Sequence, residues 1–159
     1  MNMRLAKIDS LAIDSVSGDM VVILSLVESG ELLPIWIGNS ETVSIAINLK
    51  GFTPPRPLSH DLTVSVLDGF GLSLERVIIT ALVDNTYFAL LYLTDGEEMV
   101  ILDARPSDSI ALAVRTGAPV FVSEDIPVVG GDPEDEDRMK LEKRLRRIEP
   151  EQVFKRIGE

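Results

Sequence analysis

Two short stretches, Thr53 to Leu62 (T-P-P-R-P-L-S-H-D-L) and Asp103 to Arg115 (D-A-R-P-S-D-S-I-A-L-A-V-R), hold the side chains best suited to making or breaking bonds. Histidine is the side-chain type that exchanges a proton near neutral pH, and the chain has one, His60, followed directly by Asp61. His60, Asp61 and Asp108 are therefore the candidates for general acid–base work. Asp103 and Asp108 together could hold a hard divalent cation such as Mg2+, which prefers carboxylate oxygens and water. Arg56, Arg105 and Arg115 offer planar, paired N–H donors that fit the oxygens of a phosphate.

The local sequence says how these groups are carried. Met99 to Leu102 is an apolar run ending at Asp103, and Pro106 suits the first turn of a helix, where its missing N–H leaves no bond unmade. Ser107 and Asp108 are natural first-turn residues, and a carboxylate there complements the positive end of the helix dipole. Ile110, Ala113 and Val114 form an apolar stripe, whereas Arg105, Asp108 and Arg115 lie on another face. Three prolines make Thr53 to Pro57 a stiff connector. Ser59 is placed to cap the next helix, whose buried face is read as Leu62, Val66 and Phe70. A quieter account stays open for each group: Asp108 caps a helix and pairs with an arginine, Asp61 favours its own helix N-terminus, and His60 is a capping or core hydrogen-bonder.

Taken together, L-P-I-W-I-G at Leu33 to Gly38, P-R-P-L-S-H-D-L at Pro55 to Leu62, and D-A-R-P-S-D-S-I-A-L-A-V-R resemble the bifunctional nuclease family of bacteria and plants. The resemblance runs over roughly residues 4 to 125. It implies cleavage of both RNA and DNA, and an α+β domain that associates with copies of itself. Roles for individual residues come instead from their chemistry. A phosphodiesterase needs a base or metal-bound hydroxide, cations to stabilise charge at phosphorus, and a proton for the leaving oxygen. A site joining the Pro55 to Asp61 connector to the Asp103 to Asp108 corner would supply them.

Composition sets the bounds. A chain of 159 residues, 45% hydrophobic, can bury about two-thirds of its unfolded surface in one domain. The absence of cysteine excludes disulfides, thiolate metal sites and a cysteine nucleophile. No apolar run nears the roughly 20 residues that span a bilayer, and the first residues lack an apolar signal core, so a cytoplasmic protein without membrane contact is expected. Net charge is −11, unevenly spread: −8 over residues 1–123, −7 over 124–137 and +4 over 138–159. Phosphate affinity comes mainly from cations, so the core is poorly charged for tight nucleic-acid binding. With 5% aromatic residues, a base-stacking platform is weakly supported. No P-loop, dinucleotide fingerprint, zinc motif or serine elbow occurs.

The order of elements reads strand, strand, strand, helix, helix, strand, strand, strand, helix, strand over residues 1–125. Arg4 to Ala12 and Met20 to Val27 form a first hairpin, Leu32 to Ile37 a third strand containing a core Trp36, and Glu41 to Lys50 a helix capped by Asn39 or Ser40. Arg76 to Leu82 and Tyr87 to Thr94 form a second hairpin around Val83-Asp84-Asn85-Thr86. This is an α+β fold with a mostly antiparallel sheet, helices packed to one side, and a C-terminal helical extension. Residues 126–137 read as an acidic, flexible Gly/Pro linker. Residues 138–159 read as a basic helical tail, with Leu141, Leu145 and Ile148 as its apolar stripe. Two functions from different classes follow: a nuclease of broad range with RNA and DNA as substrates, and an oligomeric, non-enzymatic module binding a small anion or a protein partner.

Overall fold

The computed structural model describes residues 2–157 and is an eight-stranded, mostly antiparallel sheet with α-helices. In chain order the elements are β1 (Met3–Asp14), β2 (Met20–Leu26), β3 (Leu32–Ile37), α1 (Asn39–Leu49), α2 (Ser59–Gly69), β4 (Ser73–Val83), β5 (Thr86–Thr94), β6 (Met99–Ala104), α3 (Pro106–Thr116), β7 (Val120–Ser123), α4 (Glu136–Arg144), β8 (Leu145–Ile148) and α5 (Pro150–Ile157). The strands lie in the order β3-β2-β1-β7-β4-β5-β6, with β8 also on β1. One pairing, β4 with β7, is parallel, because α3 carries the chain back across the sheet. The α+β class is as expected.

Alternation sorts the core. In β2, Met20, Val22, Leu24 and Leu26 face the main core under the helices, while Val21 and Ile23 face a smaller one with Ala12, Leu32 and Leu145. Burial on both faces explains why β2 reads as a continuous apolar run. The β4–β5 hairpin turns through Asp84 and Asn85 at φ 50° and 62°, the left-handed pair that matches strand twist and that Asp and Asn tolerate.

The structure overturns several local expectations. Leu62, Val66 and Phe70 are exposed, Phe70 by 79%. The inner stripe of α2 is instead His60, Val64 and Leu67, spaced i, i+4, i+7, and both stripes are apolar enough that periodicity alone could not choose between them. Asn39 and Ser40 do not cap α1, nor Ser59 α2; the N-cap positions are Gly38 and Leu58. Trp36 is 40% exposed. Its indole donates to the buried Asp14 at 2.9 Å, and an indole N–H needs such a partner.

The tail is not helical throughout. The basic helix ends at Arg144, and Leu145–Ile148 becomes β8, antiparallel to the second half of β1. That half of β1 runs past the end of β7, so its unpaired backbone groups take the tail as a partner. The segment read as a free linker is tied down as well. Ile126 is buried, and Val129 and Leu32 exchange backbone hydrogen bonds at 2.8 Å. Arg144 reaches both oxygens of Asp14 at 2.8–3.0 Å, which holds that carboxyl well below the usual range against the burial that opposes it.

Candidate active site

α3 begins as its sequence requires, with Pro106 in the first turn and Gly117 closing the helix at φ 77°. Asp108 does not cap it. Its oxygens turn outward, where Arg105 donates to Oδ2 through Nε at 2.9 Å and to Oδ1 through Nη2 at 3.1 Å. Oδ1 also meets Nε2 of His60, 48 residues earlier in the chain, at 2.8 Å. The two polar stretches therefore meet through His60, Arg105 and Asp108, which line one open cavity of about 520 Å3.

α1 brings two more polar groups that the sequence reading missed. Ser44 Oγ lies 2.6 Å from His60 Nδ1, and Glu41 Oε1 accepts from Arg105 Nη2 at 3.1 Å. Their spacing of i, i+3 on one face of α1 was the available signal, but it looked like an ordinary polar stripe. Gly38 makes room for Glu41: a Cβ there would collide with its carboxylate.

The charges fix the proton positions. The Arg105 hydrogen bonds hold the Asp108 carboxyl below its ordinary range, outweighing the opposing effect of burial. An ionised Asp108 cannot donate, so the proton between it and His60 sits on Nε2. In the neutral ring Nδ1 then accepts from the Ser44 hydroxyl. Arg105, shared by Asp108 and Glu41, is held still more firmly protonated than an ordinary guanidinium.

The other expected site residues go elsewhere. The Arg115 side chain is 4% exposed and donates to Asp61 at 2.7 Å. This pair lines a different cavity, of about 310 Å3, beside the proline connector. Burial works to raise the Asp61 carboxyl, but the hydrogen bonds from Arg115 and the Leu58 amide more than offset it, and the group stays ionised below its usual range. Arg56 is exposed in the connector and Asp103 on β6, and neither lines the His60 cavity.

The expected metal pair, Asp103 and Asp108, does not fit this donor set. Both Asp108 oxygens are engaged by Arg105 or His60, and the guanidinium stands between Asp108 and Glu41, where a shared cation would have to sit. Among the described residues, no group of three or more His, Cys, Asp or Glu side chains is placed to hold a metal ion.

A family model described as the bifunctional nuclease domain matches residues 22–129, a span holding Glu41, Ser44, His60, Arg105 and Asp108. The chain belongs to the bifunctional nuclease domain family. It is 35% identical over 125 residues to an uncharacterised protein of Mycobacterium tuberculosis, covering 79% of this chain and 74% of that one. It is 29% identical over 114 residues to bifunctional nuclease 1 of Oryza sativa subsp. japonica, and 32% over 99 residues to bifunctional nuclease 2 of Arabidopsis thaliana. Those matches cover 69% and 60% of this chain but 34% and 30% of the plant proteins, so it spans about a third of their length. In this bifunctional nuclease domain no helix among the described residues is long and apolar enough to cross a membrane.

Proposed function

We propose that this domain hydrolyses phosphodiester bonds in RNA and DNA at the His60 cavity. The observation that carries the reading is the convergence of His60, Asp108 and Arg105 in one open cavity, from segments 48 residues apart. An imidazole held between a carboxylate and a hydroxyl can take a proton at Nδ1, and the resulting imidazolium is stabilised by ionised Asp108. Arg105 is 64% exposed at its side chain, and its remaining N–H donors are available to a phosphate oxygen, which develops charge as phosphorus is attacked. The proton on His60 then returns to the leaving alkoxide. Family membership and the plant relatives' names support nucleic acid as the substrate class. The test is cleavage of single-stranded RNA and DNA by the purified chain, with His60→Ala prepared in parallel. A loss of roughly 100-fold or more is expected for the variant. Equal rates for the two would remove the cavity from the reaction.

A second reading, a non-enzymatic module that assembles with its own copies, draws on the bare half of the sheet. Opposite the helices, the register lines up Leu5, Phe121, Ile78 and Leu90 in one row across four strands, with Tyr92 and Ile101 paired beside them. Leu5 and Ile101 are 44% and 51% exposed, and apolar surface of this kind marks an interface. Light scattering on the wild type and Ile101→Glu tests it: a dimer converted to monomer supports self-association, and a wild-type monomer at high concentration removes it.

A further inference from the structure

Resting on the phosphodiesterase reading, we propose that Ser44 Oγ is the nucleophile of this site, forming a serine–phosphate intermediate with the nucleic acid. His60 leaves little alternative route for a proton. Both ring nitrogens are engaged by side chains, Nε2 by Asp108 at 2.8 Å and Nδ1 by Ser44 at 2.6 Å. Nδ1, the ring nitrogen that can take up a proton, faces the Ser44 hydroxyl. Ser44 is only 5% exposed, yet it lines that cavity together with His60, Arg105 and Asp108.

Ser44 also departs from what hydroxyls in helices do. A helical Ser or Thr can bond back to the carbonyl four residues earlier. Thr42, Thr63, Ser109 and Thr116 all do so here, at 2.7–2.9 Å. Ser44 points to the imidazole instead. Hydroxyl, imidazole and carboxylate in series are the arrangement that activates a serine, recognised by geometry and role rather than by chain position. Relative to the usual order the ring is turned end for end, with the hydroxyl on Nδ1 and the carboxylate on Nε2.

The steps balance without an added reactant. Ser44 Oγ attacks phosphorus and its proton passes to Nδ1. The Oγ–P bond forms as the P–O bond to the leaving alkoxide breaks, and that alkoxide takes the proton from Nδ1. Water then attacks phosphorus, giving a proton to Nδ1, and the P–Oγ bond breaks with the proton returned to Oγ. The net change is one phosphodiester and one water converted to a phosphomonoester and an alcohol.

Two measurements on the full chain test this. Treatment with phenylmethylsulfonyl fluoride followed by peptide mass spectrometry is expected to find the adduct on Ser44, reduced roughly tenfold or more in His60→Ala. Acid-quenched reactions with an end-labelled oligonucleotide are expected to leave label on the protein through denaturing electrophoresis. Ser44→Ala should lose that label and Ser44→Cys keep it, and because the wild-type adduct alone reports the nucleophile, a misfolded variant does not spoil the test. Nucleic-acid cleavage with no adduct by either route overturns the nucleophile and leaves the nuclease reading standing. A sulfonyl adduct on Ser44 in a protein that cleaves no nucleic acid keeps the nucleophile and overturns the substrate.

Discussion

Asp61 and Arg115 are joined at 2.7 Å in a cavity separate from the one His60 lines, although Asp61 is the next residue in the chain. Adjacent helical residues point about 100° apart, so the His-Asp pair divides its work: His60 faces α1 and α3 at the cavity, and Asp61 clamps α2 to the buried guanidinium of α3. Arg115→Ala leaves the Asp61 carboxylate with only the Leu58 amide as a partner and should cost on the order of 3 kcal/mol. That corresponds to a drop of roughly 6–12 °C in Tm by calorimetry. The effect on cleavage should follow folding alone, so activity per folded molecule should stay near wild type well below the transition.

The proton between His60 and Asp108 is directly observable because the chain has one histidine. Nitrogen-15 NMR of the imidazole at neutral to mildly alkaline pH should show Nε2 protonated and Nδ1 as an acceptor. The opposite tautomer would contradict an ionised Asp108. In Asp108→Asn the preference for Nε2–H should weaken, because a side-chain amide can donate as well as accept.

Asp108 should stay ionised to lower pH than an ordinary aspartate. The Asp108 carboxyl is held below its usual value chiefly by Arg105. A depressed folded-state pKa contributes stability that is present above the unfolded value of about 3.9 and is lost as pH falls through the lower folded one. This part of the fold's stability should therefore persist through the normal carboxylate range and be lost below it. Arg105→Ala should move this loss to higher pH, which carbon-13 NMR of the Asp108 carboxyl together with acid-unfolding curves would show, and should lower the rate of cleavage as well.

Chelation should have little effect. The carboxylates of the cavity are already paired with Arg105, so the residues derived for catalysis need no metal-binding step. Cleavage by protein dialysed against EDTA should stay within about twofold of the untreated rate, against the steep loss expected where an ion carries the transition-state charge. Full loss on chelation, restored by added Mg2+, would return a metal to the mechanism.

The tail should behave as part of the domain. Asp14 accepts from Trp36 and Arg144, and β8 closes the smaller core over Ala12, Val21 and Ile23. A chain ending before Glu136 should melt at lower temperature and expose new apolar surface to a dye such as ANS. Because Trp36 is the only tryptophan, its emission reports the contact, and Asp14→Ala or Arg144→Ala should shift it to the red.

Much of this protein was legible without coordinates. The turn at Asp84-Asn85, the helix start at Pro106 and the strand character of the apolar run at β2 all follow from local chemistry: left-handed tolerance, a missing N–H, and continuous apolar side chains. The same local logic identified His60, Arg105 and Asp108 by type. It could not say which of two apolar stripes of α2 turns inward, since both carry large apolar side chains and the choice is made by Val64 and Leu67 packing while His60 reaches α3. Nor could it tell that Leu145–Ile148 would be a strand, because an i, i+4, i+7 stripe describes a helix equally well until β1 offers unpaired backbone. Residue types thus determined which chemistry was on offer. Tertiary structure decided which groups share it, pairing Asp61 with Arg115 and Asp108 with His60, because a side chain's partner depends on which distant segment packing brings within 3 Å.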